Sequence, residues 1–213
     1  MDKLVIWDFN GTIIDDVELC RTIINRMLRR RDLPQLTLAD YQSVFDFPVR
    51  TYYQQVGFDM DREPFPCLAA EYMDQYQPAS FTCPLRKNVV DVLAFLAGQG
   101  YRQVLLSATK RDFLIRQLEH YDLIRYFDPI LGLDDIYGRS KSEMAADWFH
   151  KTDLDPEKVV LIGDTVHDQI VAQALRCRAV LLAGGHNSRE RLAATGSLVV
   201  NQPDALLADP WFL

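Results

Sequence analysis

The stretch VIWDFNGTIIDD, residues 5–16, carries an apolar run that stops on a carboxylate, Asp8, and then turns through Asn10, Gly11 and Thr12. A second pair of acids, Asp164 and Asp168, closes the apolar run VVLIGD and stands four residues apart in GDTVHD. Ser107 ends a further run in VLLSAT, and Lys141 sits in GRSKSE. If these runs are strands of one open α/β sheet, their carboxyl ends share a crevice that gathers Asp8, Ser107, Asp164 and Asp168. Three carboxylates in one crevice repel each other and raise each other's pKa unless a cation joins them. A hard divalent ion relieves that repulsion; Mg2+ takes a few carboxylates together with a substrate phosphate. The chemistry such a set offers is phosphoryl transfer. Ser107 brings a hydroxyl, and Lys141 at a helix start brings an ammonium, to the transferring oxygens. Gly11 permits a tight turn with N–H groups pointing inward. Asp8 then becomes a feasible nucleophile, forming an aspartyl-phosphate that water hydrolyses.

The elements that must position these residues are legible in outline. The runs at 4–8, 104–109, 159–164 and 179–185 are apolar without alternation, the pattern of strands covered on both faces of a parallel sheet. Helical spacing fills the intervals, with Val89, Val92, Leu93 and Leu96 on one face of residues 88–96, and a less regular repeat over RDFLIRQLEHY. Residues 16–80 differ. Val17, Cys20, Ile24, Met27 and Leu28 share one helical face, Thr37 is placed to cap the next helix, and Pro64 and Pro66 stand near the start of another. This block has no strand signal and interrupts an otherwise alternating chain, so it reads as an insertion lying over the strand ends. The basic cluster LRRR at 28–31 reads as a solvated helix end, Trp148, Phe149 and Met144 as core packing, and the DPWFL terminus as aromatics docked on the domain.

Composition excludes several classes. With 213 residues, 48% of them hydrophobic, the chain fills a substantial core and is not disordered. A net charge of −7 without a concentrated basic face argues against nucleic acid as a partner. Asp8 interrupts the first apolar run too early for a secretory signal, and no run approaches the roughly 20 apolar residues that cross a bilayer. Cys20, Cys67, Cys83 and Cys177 are scattered, with neither metal nor disulfide spacing, as reduced thiols in a cytoplasmic protein would be. The oligomeric state stays open.

Taken in order, DFNGT, Ser107, Lys141 and GDTVHD resemble the four motifs of the haloacid dehalogenase superfamily of phosphatases, and the sequence most resembles the phosphoglycolate phosphatase-like branch. Any one motif alone is weak, whereas four in order are specific. The resemblance implies an α/β fold: a Rossmann-like, mostly parallel sheet flanked by helices. Residues 1–15 and 81–213 would form this catalytic core, and residues 16–80 an inserted all-helical cap. It implies that Asp8 is nucleophile and metal ligand, that Asn10 gives its main-chain carbonyl to Mg2+, that Asp164 is a direct ligand, and that Asp168 orients a metal-bound water. Ser107 and Lys141 would hold the transferring group. Gly11, Thr12 and Ala108 beside them, with Arg50 from the inserted block and His167 from the fourth motif, are the candidates for touching a small phosphorylated metabolite. Arg50 is suited to a substrate carboxylate. His186 in AGGHNS is a further loop histidine able to face the crevice.

One residue departs from the family pattern. Position 10 is usually an acid that protonates the leaving oxygen and later deprotonates water, and an amide does neither. Such help is typically worth about 10² to 10⁴ in rate. The expectation is therefore a Mg2+-dependent phosphatase that is slow or selective, whose turnover on alkyl phosphates Asn10→Asp would raise. The alternatives are a phosphotransferase and a phospho-ligand sensor with little turnover.

Overall fold

The computed structural model describes residues 3–133 and 140–212. The first strand, β1 (Leu4–Trp7), is buried along its whole length. Its side chains alternate as a pleated strand requires: Val5 and Trp7 enter one apolar layer, Leu4 and Ile6 the opposite one. Four helices follow, α1 (Val17–Arg29), α2 (Leu38–Val44), α3 (Val49–Gln55) and α4 (Phe65–Ser80). Helix and strand then alternate through α5 (Val89–Gly98), β2 (Arg102–Lys110), α6 (Arg111–His120), β3 (Ile130–Leu133), α7 (Lys141–Phe149) and β4 (Val159–Gly163). The chain continues with α8 (Val166–Ala174), β5 (Arg178–Leu182), α9 (Arg189–Ala193) and β6 (Leu198–Val200).

The six strands pair in parallel in the order β3-β2-β1-β4-β5-β6. This is a Rossmann-like α/β sheet flanked by helices. Strand order reverses at β1, so the crevice beyond the carboxyl ends of β1, β2 and β4 is the switch point where such sheets bind ligands. The four central strands lie where the apolar runs put them. The edge strands β3 and β6 escaped the sequence reading because, unlike the comparably short but fully buried β1, they are only partly buried and carry no continuous apolar run of that length.

Helices α1–α4 carry an apolar cluster of their own. It includes Ile23, Ile24, Met27, Tyr41, Tyr52, Tyr53, Leu68 and Tyr76, and it is joined from α6 by Phe113. Thr37 caps α2 through a reciprocal box with Asp40, and Pro64 precedes α4 with Pro66 in its first turn. The basic end of α1 is not simply solvated. Arg31 pairs with Glu63 and, at 2.7 Å, with Glu71, while Arg30 reaches Glu71 at 2.8 Å, which ties α1 to α4. At the other end of the chain Phe212 is buried and Trp211 is partly so, both against Tyr101. Leu213 lies outside the described residues. The four cysteines are unpaired. Among the described residues, no helix is long and apolar enough to cross a membrane.

Candidate active site

The register of the sheet brings the site together. Trp7 pairs with Leu105 on β2 and with Ile162 on β4, so Asp8, Ser107 and Asp164 follow along one edge. The Asp8 N–H donates to the Ile162 carbonyl at 2.8 Å. Carboxylate oxygens of Asp8, Asp164 and Asp168 all lie within 4.8 Å of one another, and all three side chains are buried.

Local sequence aims each of them. Thr165 and Asp168 form the capping box of α8, and Oδ2 of Asp168 accepts from the N–H of Asp164 at 3.2 Å and from the N–H and hydroxyl of Thr165 at 3.0 and 2.6 Å. Its other oxygen, Oδ1, is left to face the crevice, where it accepts from Lys141 Nζ at 2.6 Å. Lys141 is the first residue of α7, started by a Ser140–Glu143 capping box, and its buried ammonium also donates to Asp8 Oδ1. Asp164 accepts from the Thr12 hydroxyl at 2.9 Å and from the His186 N–H at 2.6 Å. Gly11 has φ +72° and packs so closely on Asp164 and His186 that a Cβ there would collide with both.

The charges are out of balance in a way that calls for a further cation. Burial pushes Asp8 up to about 8; Lys141 pulls it back, while Asp168 and Asp164 add to the rise. Burial likewise carries Asp164 up to about 6 against the opposing charge of His186. Asp168 is held low in spite of its burial, by the charge and hydrogen bond of Lys141. Burial would lower Lys141, but Asp168 and Asp8 outweigh it and hold the ammonium charged. Lys141 serves Asp8 and Asp168, and Asp164 is left to His186, whose charge Asp16 already shares. Converging, buried, oxygen-only donors left under-compensated suit a hard divalent ion, so the residues present fit Mg2+.

Asn10 is engaged elsewhere. Its Nδ2 donates to Asp16 Oδ2 at 2.8 Å and to the Tyr76 hydroxyl at 2.6 Å, and its Oδ1 accepts from the Thr109 hydroxyl at 3.0 Å. Asp16 collects further donors, from the Gly11 N–H at 2.9 Å, the Tyr76 hydroxyl at 2.7 Å and His186 Nε2 at 3.2 Å. Burial would raise Asp16, but the charge and hydrogen bond of His186, with the bonds from Tyr76 and Asn10, hold it low. Burial would lower His186, but Asp16 carries it up to about 9, with Asp164 and Asp8 adding to the rise. Asp16 and His186 are therefore a buried ion pair, with the imidazolium Nδ1 turned to the Tyr41 hydroxyl at 2.8 Å. Donor atoms of Asp16, Cys20 and His186 also lie within 4.8 Å of one another. This is a poor metal site, because Asp16 is already saturated and burial holds the Cys20 thiol well above its usual value.

Tyr41 and Tyr76 come from α2 and α4, so the inserted helices meet the strand ends through this network. The same seam holds a 2.7 Å bond from Gln42 Nε2 to the Gly185 carbonyl and a 2.8 Å bond from Asn187 Nδ2 to the Phe45 carbonyl. Arg191 adds a 2.7 Å ion pair with Asp46.

The remaining expected residues fall differently. Ser107 is buried, and its Oγ accepts from the Thr109 N–H at 3.1 Å; Ala108 is half-buried beside it. The His167 ring packs tilted against Phe47 at 4.8 Å, lies 3.3 Å from the Ser142 hydroxyl, and keeps a buried Nδ1 without a partner among the described residues. Arg50 is exposed in the first turn of α3 and pairs with no acid among the described residues. Sequence reasoning overlooked Asp16, Tyr76, Tyr41 and Thr109. For Asp16 a signal existed, the second of two adjacent acids at 15 and 16 six residues beyond Asn10; the tyrosines carried none.

This geometry agrees with what known proteins look like. The profile of the haloacid dehalogenase-like hydrolase family matches residues 5–182. A phosphoglycolate phosphatase from Aliivibrio fischeri is 25% identical over 96% of this chain and 91% of its own length. A probable phosphatase, IndB, from Dickeya dadantii is likewise 25% identical, over 94% of this chain and 89% of its own. Among solved structures, a predicted phosphatase from Clostridium acetobutylicum superposes with a TM-score of 0.84 at 22% identity, covering all of both chains. The chain belongs to the haloacid dehalogenase-like hydrolase family. It is an enzyme, and its relatives make it a phosphatase of that family.

Proposed function

We propose that this protein is a Mg2+-dependent phosphatase of small phosphate monoesters that works through a phosphorylated Asp8. The observation that carries this reading is the meeting of Asp8, Asp164 and Asp168 at the switch point of the sheet, with the buried Lys141 ammonium bonded to Asp8 and Asp168. Asp8, Asp164 and the main-chain oxygen of Asn10 would hold the ion, which when bound supplies positive charge to the acids and to the phosphate oxygens. Lys141 fixes one Asp8 oxygen, leaving the other free to attack phosphorus as the ester P–O bond breaks and the alkoxide departs, taking its proton from water because the amide of Asn10 is no acid. Ser107 and the amides of the Asp8–Thr12 turn bind the phosphoryl oxygens. Water then attacks the phosphorus of the aspartyl-phosphate, returning Asp8 and releasing inorganic phosphate. Helices α1–α4 act as the cap that excludes bulk water. Four unpaired thiols accord with a cytoplasmic setting. The relatives named phosphoglycolate phosphatase point to a small substrate, and Arg50, exposed and without an acid partner among the described residues, is the candidate cation for a substrate carboxylate.

The test is phosphate release from a panel of small esters with and without Mg2+. Release that needs the metal and stops on chelation is the expected result. A phosphotransferase would consume ester only when an acceptor is added. A sensor, the reading that the engaged amide of Asn10 favours, would bind esters without releasing phosphate, and either outcome overturns the proposal.

The setting of Asn10 also revises what its replacement should do. Asn10→Asp alone puts a carboxylate where Nδ2 now donates to Asp16 at 2.8 Å. Two acids in contact are expected to lower stability by about 1–3 kcal/mol, read by urea denaturation, and no gain in turnover is expected. Asn10→Asp combined with Asp16→Asn restores the donor–acceptor match. That pair should recover only part of the stability, because Asp16→Asn also removes the carboxylate paired with His186, and should raise kcat on alkyl phosphates by about 10-fold or more. A double variant no faster than the parent removes acid–base help as the reason for slow turnover.

A further inference from the structure

A second anion site lies outside this centre. Arg86, on the segment leading into α5, is only 8% exposed. Its guanidinium donates to the main-chain carbonyls of Ala183, at 2.6 Å, and Gly184, at 2.9 Å. These are neutral acceptors, and among the described residues no carboxylate comes within ion-pair distance of it. A buried cation without a counter-ion is costly, and two carbonyls use only part of a five-donor fork. Arg86 forms one wall of a cavity of about 320 Å³, whose other walls include Lys87, Asn201, Gln202 and Asp15. Lys87 is exposed and likewise has no acid in ion-pair range among the described residues. Asn201 accepts from Arg189 at 2.5 Å, which brings a third cation to the rim. On a chain of net charge −7 this is a local reversal of sign.

We propose that this cavity binds a phosphate dianion, held by the free edge of the Arg86 guanidinium and by the Lys87 ammonium, with the side-chain amides of Asn201 and Gln202 completing the donor set. Arginine forks match phosphate oxygens two at a time, and a lysine beside one adds a point charge. The site shares no residue with the Asp8 centre but abuts it through two consecutive glycines. A side chain at Gly184 would press on the Arg86 guanidinium, and one at Gly185 would run into Asp164. His186, the next residue, donates its N–H to Asp164. An anion that draws on Arg86 therefore bears on the segment that fixes one of the crevice acids.

The experiment titrates inorganic phosphate into the EDTA-treated protein, whose crevice then lacks the divalent ion that would draw an anion there, and follows backbone amide NMR shifts. Saturable shifts are expected at Lys87, Gly184 and Asn201. Lys87→Glu, a change at an exposed position, should weaken binding at least about tenfold, and Asp15→Asn, which removes the negative charge from the wall, should tighten it about threefold. Acetate, a monoanion with two oxygens, should bind at least about tenfold less tightly than phosphate. Shifts confined to Gly11 and Asp164, no saturation, indifference to Lys87→Glu, or acetate equal to phosphate would each overturn the proposal. Metal-free protein keeps this result separate from the fate of the Asp8 reading.

Discussion

Asp8→Asn stops phosphate release, with kcat falling by at least about 10⁴-fold as expected when a covalent nucleophile is lost, and it does so without unfolding the protein. The amide keeps the size of the carboxylate and can still accept from Lys141. It also removes a buried carboxyl whose charged form is disfavoured, first by burial, which Lys141 offsets only in part, and then by Asp168 and Asp164. In EDTA the variant should therefore melt higher than the parent. Adding Mg2+ should reverse that order, because the parent has one more carboxylate to offer the ion and gains more from binding it. Melting curves with and without metal, set beside phosphate release, check both halves. A variant that hydrolyses esters at an appreciable rate would remove Asp8 from the chemistry. One that melts lower than the parent in EDTA would show that the bond to Lys141 outweighs the repulsion among the acids.

That two-sided behaviour explains why the site was legible before the fold was. A carboxylate at the end of an apolar run conflicts with burial, and the chain repeats the conflict at Asp8 and Asp164. Conflicts of this kind persist where function requires them. Lys141 and Asp168 were legible from their places in GRSKSE and GDTVHD, but the capping boxes that aim them, Ser140 with Glu143 and Thr165 with Asp168, came only with the structure. The central strands followed for a related reason, since only β1, β2, β4 and β5 are buried enough to need long apolar runs.

What stayed hidden depends on contacts between elements distant in the chain. Tyr76 is 60 residues from Asp16 and His186 is 170 from it, yet these two close on one carboxylate. His186 was read as a loop histidine able to face the crevice, but nothing local in either residue announces that Asp16 is where they meet. A helical tyrosine with its ring buried reads as core, and the hydroxyl that matters is invisible to periodicity. Arg50 went the other way. A cation after a proline in the inserted block was picked out by its chemistry alone, and the structure leaves it exposed in the first turn of α3 with no acid partner among the described residues. Residue type limits what a side chain can do, and only packing decides where it is done.

Lys141→Met is the complementary test, and it acts on folding as well as on catalysis. Lys141 Nζ donates to both Asp8 and Asp168, and its side chain is 4% exposed. Without the ammonium, two buried carboxylate oxygens face each other across an apolar thioether. Removing one partner of a buried ion pair typically costs about 3–5 kcal/mol, and loss of a charge aimed at the transferring oxygens should cost about 10² to 10³ in kcat. The stability loss should shrink in the double variant with Asp8→Asn, because the second change removes one of the acids that the first leaves uncompensated. It should also shrink in Mg2+, since a divalent ion brings positive charge to the same acids. Urea denaturation of the parent, both single variants and the double variant closes the cycle. Strictly additive losses would mean that Lys141 and Asp8 do not act on each other, and the case for one ammonium holding the crevice together would fall with them.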